Sequence, residues 1–395
     1  MIYKLGDLID IKHGYAFSGE GITTEDNKQV LVTPGNFKIG GGFKEEKCKY
    51  FSGDIPEDYI LKAGDLIVTM TDLSKQGDTL GYSARVPNNK DRTYLHNQRI
   101  GLIQLKSNIT SVDYIYWFMR TRRYQKSVLA TATGSTVKHT APKRIQEIEI
   151  DVPSHEKQDK ICSILNNLDE KIEINNKLNA NLDELISNIF NDIFNLENVE
   201  YCPISNLMEV RDGTHDSPKA VEEGYPLITS KHLLKYGVNR LDANRISKSD
   251  YEKVNERSKV DCGDILLSMI GTVGVISFII DEVVDFAIKN VALFKTSNNK
   301  RLQYFALSYL KHSKVTNHIN MCLAGSTQKY ISLAELRKLP FPLFNADKIH
   351  EFNLVVEPLY SKIKLINDEN MGLIKLRDLL LPKLMSGELE LSEVE

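Results

Sequence analysis

The sequence predicts an α+β protein that contains two copies of one unit, related by a pseudo-two-fold axis. Each copy is expected to be an α/β globular domain followed by a long helix, and the two helices are expected to pair antiparallel as a coiled-coil spacer between the domains. Three observations support this fold: an internal repeat, short apolar runs broken by turns in each copy, and two heptad patterns. The length of 395 residues exceeds one ordinary domain. The composition, 42% hydrophobic and 26% charged, is typical of globular proteins.

The repeat consists of five segments that recur in the same order at offsets between 191 and 199 residues. The pairs are 5–14 with 204–213, 31–33 with 227–229, 64–70 with 263–269, 134–138 with 325–329, and 168–172 with 359–363. A single short match arises by chance, but five in a common order indicate the duplication of one unit.

Residues 1–153 and 199–344 are predicted to form the two globular domains. Short apolar runs in the first domain are separated by turn signals such as the three glycines 40–42 and the segment 87–89 (Pro-Asn-Asn). This spacing is typical of a strand-rich domain. Within it, the aromatic and aliphatic residues of the segment 113–129 predict one helix.

Residues 154–198 and 345–386 are predicted as the two spacer helices, and 387–395 as a C-terminal tail. Apolar residues at alternating spacings of four and three run from Ile161 to Leu196 and from Phe352 to Leu384, which is a heptad seam. Two amphipathic helices, each packed on its own domain, are the alternative. Asn179 and Asn370 occupy equivalent seam positions, where a buried polar residue fixes the register. Pro358 predicts a kink or a restart of the second helix.

Pro382 likewise predicts a bend in the last turn of the second helix, since proline lacks the amide hydrogen that a helix uses.

The net charge of -3 excludes a uniformly basic protein, but the charge is unevenly distributed. Residues 114–146 contain seven Lys or Arg, including Arg120, and no acidic residue. Residues 286–334 contain seven as well, including Lys295 and Lys311, and again no acidic residue. One such segment is ordinarily a solvated face, but the same asymmetry in both copies favours a basic surface on each domain that binds a polyanion.

Polar loops that follow strands are the candidates for base recognition, because Asn, Gln and Arg form bidentate contacts with purines and Ser or Thr contact bases or phosphates. Turn formation by the same residues is the alternative. The segment 96–99 corresponds loosely to 287–290. The predicted DNA-binding residues are Thr69, Thr71, Ser74, Lys75, Asn97, Gln98, Arg99, Arg122, Arg123, Ser135, Thr136, Lys138 and His139 in the first copy, and Lys231, Ser268, Thr272, Lys289, Asn290, Ser326, Thr327 and Lys329 in the second.

The sequence contains no motif that predicts chemistry by this chain. A Walker-type phosphate loop, an Asn/Asp-Pro-Pro-aromatic run and a Gly-x-Gly-x-x-Gly after a strand are all missing from it. His, Asp and Glu show no metal-ligand spacing, and His13, His215 and His232 have no evident acid partner. We therefore expect no catalytic residues, no metal and no cofactor on this chain.

Five widely spaced cysteines without a Cys-x-x-Cys pair favour free thiols in a reducing compartment. The segment 265–280, the longest uncharged apolar stretch, is shorter than the ~20 residues of a membrane span. The N-terminal residues show no signal-peptide pattern. A cytoplasmic location is expected.

Four sets of residues carry a resemblance to a known family. They are Gly64-Asp65-Leu66-Ile67 with Gly263-Asp264-Ile265-Leu266-Leu267-Ser268, Gly134-Ser135-Thr136 with Gly325-Ser326-Thr327, Val152-Pro153-Ser154-His155-Glu156-Lys157-Gln158, and Leu379-Leu380-Leu381-Pro382-Lys383-Leu384-Met385-Ser386-Gly387-Glu388-Leu389. In these residues the chain resembles the specificity (S) subunits of type I restriction-modification systems. The segment 341–345 before the second helix lacks the Glu-Lys-Gln run, which leaves the start of that helix open.

The resemblance implies that each domain is a target recognition domain for one half of a bipartite, gapped DNA sequence. It also implies that the spacer docks two methyltransferase (M) subunits, which methylate adenine N6 with S-adenosylmethionine. A restriction (R) subunit would add ATP-driven translocation and cleavage, so that S-adenosylmethionine, ATP and Mg belong to the partner subunits.

The length of the seam gives an expected gap between the two half-sites. A seam of about 36 residues is ~54 Å long. Half-site centres about 10 base pairs apart leave a gap of roughly five to eight base pairs.

Two other classes of function stay open on the residues alone. A stand-alone enzyme that modifies nucleic acid would bind S-adenosylmethionine or alter DNA without a partner. A coiled-coil scaffold that binds proteins would show no salt-dependent association with DNA.

Overall fold

The computed structural model describes residues 1–46, 48–74, 76–240, 242–326 and 328–389. The chain divides into two compact units, one of residues 1–172 with 372–395 and the other of residues 173–371. Each unit therefore contains one globular domain together with part of each long helix.

The first domain is rich in short strands. They are β1 (Ile2–Lys4), β2 (Ile9–His13), β3 (Ile22–Thr23), β4 (Gln29–Val32), β5 (Lys49–Phe51), β6 (Ile60–Leu61), β7 (Leu66–Thr69), β8 (Thr71–Asp72), β9 (Ser83–Arg85), β10 (Thr93–His96), β11 (Ile100–Leu105), β12 (Lys138–His139) and β13 (Glu149–Asp151). The helices that accompany them are α1 (Leu5–Leu8), α2 (Val112–Phe118), α3 (Arg122–Ala130) and α4 (Pro142–Gln146).

Two sheets organise the first domain. An antiparallel sheet has the order β2-β11-β7-β9, and a second sheet has the order β3-β5-β4-β10-β6, in which β4 and β10 are parallel. Strand β1 pairs with β13, which brings the two ends of the domain together. The aromatic side chains of Tyr114, Trp117 and Tyr124 are fully buried under the antiparallel sheet.

The second domain follows the long helix α5 (His155–Ile193) and precedes the long helix α10 (Ala346–Ser386). Its strands are β14 (Tyr201–Pro203), β15 (Val210–Asp212), β16 (Tyr225–Ile228), β17 (Arg245–Ile246), β18 (Ile265–Ser268), β19 (Ile276–Phe278), β20 (Ala287–Ile288), β21 (Val291–Phe294) and β22 (Pro340–Pro342). Its helices are α6 (Lys248–Ser258), α7 (Gln303–Lys311), α8 (Ser313–Met321) and α9 (Leu333–Arg337).

The strand pairings of the second domain repeat those of the first. The antiparallel sheet β15-β21-β18-β19 matches β2-β11-β7-β9, the parallel pair β16 and β20 matches β4 and β10, and β14 pairs with β22 as β1 does with β13. Gly64 and Gly263 precede β7 and β18 with φ of 84° and 88°, a conformation that side chains other than glycine rarely adopt. The predicted duplication is confirmed.

The single helix predicted over 113–129 is instead two helices, α2 and α3. Thr121 lies between them in an extended conformation, and its hydroxyl accepts a hydrogen bond from the amide of Tyr124. An N-cap of this kind begins a new helix, so the chain turns at 119–121 and α3 starts separately. The prediction was wrong because the apolar spacing continues across the break.

The heptad seam is confirmed as the buried face of both long helices. Every predicted seam residue within α5 and α10 is buried or half-buried, while Leu196 is buried beyond the end of α5 at Ile193. In the first unit Leu165 and Leu381 share a core with Trp117, and in the second Phe190 packs on Phe352. Each helix pair therefore also closes the core of the adjoining domain.

The seam contains a layer of asparagines in the second unit. Asn175 donates to the amide oxygen of Asn370 at 2.9 Å, and Asn179 donates to that of Asn367 at 3.1 Å. The residue number on α10 falls from 370 to 367 as that on α5 rises from 175 to 179, so these two helix segments run antiparallel. Asn179 and Asn370 are both less than a tenth exposed, as a register role requires. They do not pair with each other, because Asn179 pairs with Asn367 and Asn370 pairs with Asn175.

The helix α10 runs without interruption through Pro358 and Pro382. The predicted restart at Pro358 is wrong. Proline removes one backbone hydrogen bond at a cost of ~3 kcal/mol, whereas Val356 and Tyr360 on either side are buried in the core of the second unit and hold the helix together.

Candidate nucleic-acid interface

Two loops of the first domain are joined by a short two-stranded sheet. Strand β8, just after β7, pairs with β12, and the amide of Thr140 donates to the carbonyl of Met70 at 3.0 Å. The Thr71 hydroxyl lies 3.2 Å from Nδ1 of His139. The structure thus brings together candidates separated by almost 70 residues in the sequence.

Asp72 holds the first of these loops in shape. Its carboxylate accepts hydrogen bonds from the amide of Ser74 and from the amide and hydroxyl of Thr79, and the residue is only 4% exposed. Burial raises the pKa of Asp72, but the hydrogen bonds from Thr79 and Ser74 outweigh it and leave the pKa below its ordinary value. The Ser74 hydroxyl accepts from Gly77 and Asp78, so this candidate supports the loop from inside.

The turn between β10 and β11 lies beside the same loops. The amide of Met70 donates to the carbonyl of Arg99 at 3.0 Å, and the amide of Gln98 donates to the carbonyl of Tyr15 at 2.9 Å. Gln98 and Arg99 are exposed, whereas Asn97 is buried and accepts from the amide of Arg99. Gln98 and Arg99 are therefore the accessible members of this turn.

The equivalent loops of the second domain enclose an open cavity of about 300 Å³. It is lined by Thr229, Ser230, Lys231, Ile270, Gly271, Thr272, Asn290 and Gln328. Three predicted residues, Lys231, Thr272 and Asn290, thus come together from three separate loops. Ser326 and Lys329 are exposed on the loop that supplies Gln328. The amide of Gly271 donates to the carbonyl of Lys329 and so joins this loop to the loop after β18.

The loose match of 96–99 with 287–290 is wrong by one residue. His96 pairs with Val32 as Ile288 pairs with Ile228, and the next strands begin at Ile100 and Val291. The turn has three residues in the first copy and two in the second. Asn97 therefore corresponds to Lys289 and Gln98 to Asn290.

Two predicted contacts, Thr69 and Ser268, are fully buried. The Thr69 hydroxyl donates to the carbonyl of Thr71, and the Ser268 hydroxyl donates to that of Thr272. Both end a strand and tie the following loop to it. We correct their assignment from DNA contact to support of the loop, as for Asn97 and Ser74.

The basic segments are less uniform than their sequences indicate. Arg120 is buried and pairs with Asp169, and Lys295 is buried and pairs with Asp261 and Asp264. Lys311 is half-buried. They are structural and do not belong to a basic surface. The exposed candidates in the first domain are Gln98, Arg99, Arg122, Arg123, Ser135, Thr136 and His139, with Lys138 half-buried and Thr71 buried. Those in the second domain are Lys231, Thr272, Ser326 and Lys329, with Lys289 and Asn290 half-buried. Lys75 and Thr327 lie outside the described residues.

A second cavity, of about 420 Å³, was not predicted from the sequence. It is lined by Thr214, His215, Asp216, Ser217, Pro218, Asp250, Lys253, Val254, Arg257 and Ser258. His215 has the acid partner that the sequence analysis did not find, because Nε2 lies 3.0 Å from the carboxylate of Asp212. The three-residue spacing of Asp212 and His215 was the available signal.

His232 also has a partner in the second domain: it is buried, and its Nδ1 accepts from the amide of Thr229 at 3.0 Å.

The part of the chain that the structure describes contains neither a cluster of metal-binding side chains nor a helix that could span a membrane. There, no three His, Cys, Asp or Glu side chains lie close enough together to bind a metal ion. All five cysteines are free thiols. Across the same described ranges, none of the helices combines the length and the apolar character that crossing a membrane requires.

Comparison with known proteins gives consistent matches. A family model described as the type I restriction modification DNA specificity domain matches residues 1–184 and again residues 197–370. The specificity subunit of the type I restriction enzyme MjaIX of Methanocaldococcus jannaschii is 25% identical over 327 residues, covering 75% of this chain and 73% of that protein. The specificity subunit of the type I restriction enzyme EcoBI of Escherichia coli is 20% identical, covering 98% and 85%.

The same fold is seen in the crystal structure of the S subunit of a type I restriction-modification system from M. genitalium. That chain superposes with a TM-score of 0.54 at 17% identity, covering 97% of this chain and 95% of the other.

Proposed function

Because this chain belongs to the family of type I restriction modification DNA specificity domains, we propose that its two domains recognise the two halves of one gapped DNA sequence. The observation that carries the proposal is the convergence, in both copies, of three loops from separate parts of the sequence. Each set presents exposed polar side chains, Gln98 and Arg99 in the first and Lys231 and Thr272 in the second. Side chains of these types hydrogen-bond to base edges.

Affinity for DNA is proposed to come from phosphate contacts. Arg122 and Arg123 are exposed in the first turn of α3, and in the second domain Lys329 is exposed on the loop that contacts Gly271. Contacts of Lys and Arg with phosphates release counterions and position a protein without selecting a sequence.

The spacer is proposed to set the gap and to dock two methyltransferase subunits. Ile174 and Leu185 on α5 are 60% and 46% exposed, and Leu365 and Leu376 on α10 are 63% and 44% exposed. These residues lie outside the seam and are equivalent in pairs at an offset of 191. Equivalent apolar positions, repeated on both helices, support the binding of the same partner twice.

The chain itself is proposed to be non-catalytic and cytoplasmic. The methyltransferase subunits would bind S-adenosylmethionine, and a restriction subunit would use ATP and Mg. The buried acidic and basic groups described above are engaged in ion pairs within each unit, which supports this division of labour.

Mapping of methylated adenines in cells that contain the full complex tests the proposal. We expect one methylated adenine in each half of a bipartite motif, on opposite strands, with an unspecified gap of about five to eight base pairs. A continuous motif, or methylation by the purified chain without its partners, would refute it.

A further inference from the structure

The second domain contains a chain of hydrogen bonds that ends in its cavity. Nε2 of His215 lies 3.0 Å from a carboxylate oxygen of Asp212, and Nδ1 of His215 lies 2.8 Å from the amide oxygen of Asn290. Asp212 is buried and also pairs with Arg257. Asn290 lines the cavity of about 300 Å³, beside Lys231 and Thr272.

The partners of His215 determine which amide group Asn290 presents. The amide oxygen of Asn290 can only accept a hydrogen bond, so Nδ1 of His215 is the donor between them. The oxygen of Asn290 is then occupied by His215. Its NH2 group is the part of the side chain that is available to a ligand in the cavity.

We propose that Asp212 and His215 are positioning residues that turn the Asn290 amide so that its NH2 group donates to a base acceptor in the second half-site. This rests on the proposed DNA recognition by the second domain. In the major groove such an acceptor is O6 or N7 of guanine, N7 of adenine or O4 of thymine, whereas cytosine offers a donor. This chain of hydrogen bonds through Asp212, His215 and Asn290, here called the relay, therefore selects against a base that presents a donor at one position of that half-site.

The first domain lacks this relay and so provides an internal control. His13 and Ala16 occupy the positions of Asp212 and His215 at the repeat offset of 199. Gln98 occupies that of Asn290, since their amides donate to the carbonyls of the equivalent residues Tyr15 and Thr214. A defect in the relay changes the second half-site and leaves the first unchanged.

Backbone geometry gives a competing reason for Asn290. Its φ of 53° is left-handed, a conformation in which asparagine and glycine are favoured. Asn290→Gly keeps this conformation and removes the side chain, so it separates a role in the turn from a role in recognition.

The experiment selects bound sequences from randomised DNA with the full chain and its methyltransferase partner. We compare the wild type with His215→Ala and Asn290→Gly, with His350→Ala on the exposed surface of α10 as the matched control. Both test variants are expected to lose about fivefold preference at the same single position of the second half-site. The first half-site, the unfolding temperature and the control are expected to stay unchanged.

Two outcomes would overturn the inference. If Asn290→Gly keeps every preference of the wild type, Asn290 serves the turn alone. If Asn290→Gly loses the preference but His215→Ala keeps it, His215 does not position the amide. A wild type that selects no sequence in either half would instead refute the proposed function.

Rescue by a conservative variant supplies a readout that a purely structural role does not move. A glutamine side chain has an NH2 group that donates hydrogen bonds, as the ring nitrogen of His215 does toward Asn290. The preference at that position should be partly kept in His215→Gln, and a loss as large as that in His215→Ala would contradict the relay.

Discussion

At the scale of single residues, Asp169 shows how the first domain is held on the helices. Its carboxylate, on α5, pairs with the buried guanidinium of Arg120 and, at 2.7 Å, with Arg377 on α10. In the second unit Asp183 on α5 pairs with Lys311, which follows Arg120 at the repeat offset of 191, and with Lys235. A basic residue at the end of α2 or α7 thus joins each domain to a helix carboxylate.

Removal of the Asp169 carboxylate should destabilise the protein. Asp169→Ala leaves Arg120, with a side chain only 4% exposed, without its ion pair. Loss of one partner from a buried pair is expected to lower the free energy of unfolding by about 3 kcal/mol. Urea unfolding measures this, with Lys177→Ala in the exposed Lys177–Glu173 pair as the control at under about 0.5 kcal/mol. Equal effects of the two variants would contradict this role of Asp169.

The same carboxylate should make stability depend on pH. Burial raises the pKa of Asp169, but Arg120 and Arg377 outweigh it, so the pKa is below its ordinary value. A lowered pKa means that the contribution is complete above the ordinary carboxylate range, near pH 4, and is lost as the pH falls through the folded-state pKa. The stability difference between wild type and Asp169→Asn should be constant at neutral pH and shrink in acid.

Arg122 and Arg123 test the electrostatic part of DNA binding. Each phosphate that the protein no longer neutralises lowers the slope of log affinity against log salt by about 0.9. If both residues bind phosphates, Arg122→Ala with Arg123→Ala should reduce the slope by about 2 and leave the methylated sequence unchanged. Lys160→Ala on the surface of α5 is the control. An unaltered slope in the double variant would remove both residues from the interface.

Sequence reasoning at this scale identified the loops better than the individual side chains. Gln98, Arg99 and Lys231 are exposed where prediction placed them, but Thr69 and Ser268 are buried. Both kinds of residue are polar and lie at the end of a strand or shortly after it. The direction of a side chain at the end of a strand depends on the register of the neighbouring strands, which composition does not encode.

At the scale of elements, the long helices were predictable because a heptad pattern is local. The spacing of apolar residues alone identified the buried face of α5 and α10. The break between α2 and α3 was missed because neither Gly nor Pro marks it, although Thr121 followed by Arg122 and Arg123 is a suitable N-cap. The asparagine partners in the seam were also not predictable, since they depend on the exact antiparallel register.

The exposed apolar positions of the helices give a test of docking. If Ile174 and Leu365 belong to two equivalent sites, Ile174→Asp should leave one methyltransferase subunit bound, and Ile174→Asp with Leu365→Asp should leave none. A charge in a desolvated apolar contact is strongly unfavourable. Mass measurement of the purified complex counts the subunits. Two bound subunits in the double variant would exclude this surface.

At the scale of the whole molecule, the duplication was evident in the sequence and is repeated in the strand pairings of both domains. The two copies nevertheless differ where they are proposed to contact DNA. The turn after β10 has three residues and that after β20 has two, and only the second domain has the Asp212–His215 pair. A shared scaffold with different loops lets the two half-sites differ in sequence.

The most direct test of the account is the insertion of one heptad into each long helix, after Ile172 in α5 and before Gly372 in α10. Seven residues add ~10.5 Å, which corresponds to about three base pairs of DNA, and keep the seam in phase. Adenine methylation should then be found in the same two half-sites with a gap about three base pairs longer. An unchanged gap would contradict a helical spacer that sets the distance between two separate recognition domains.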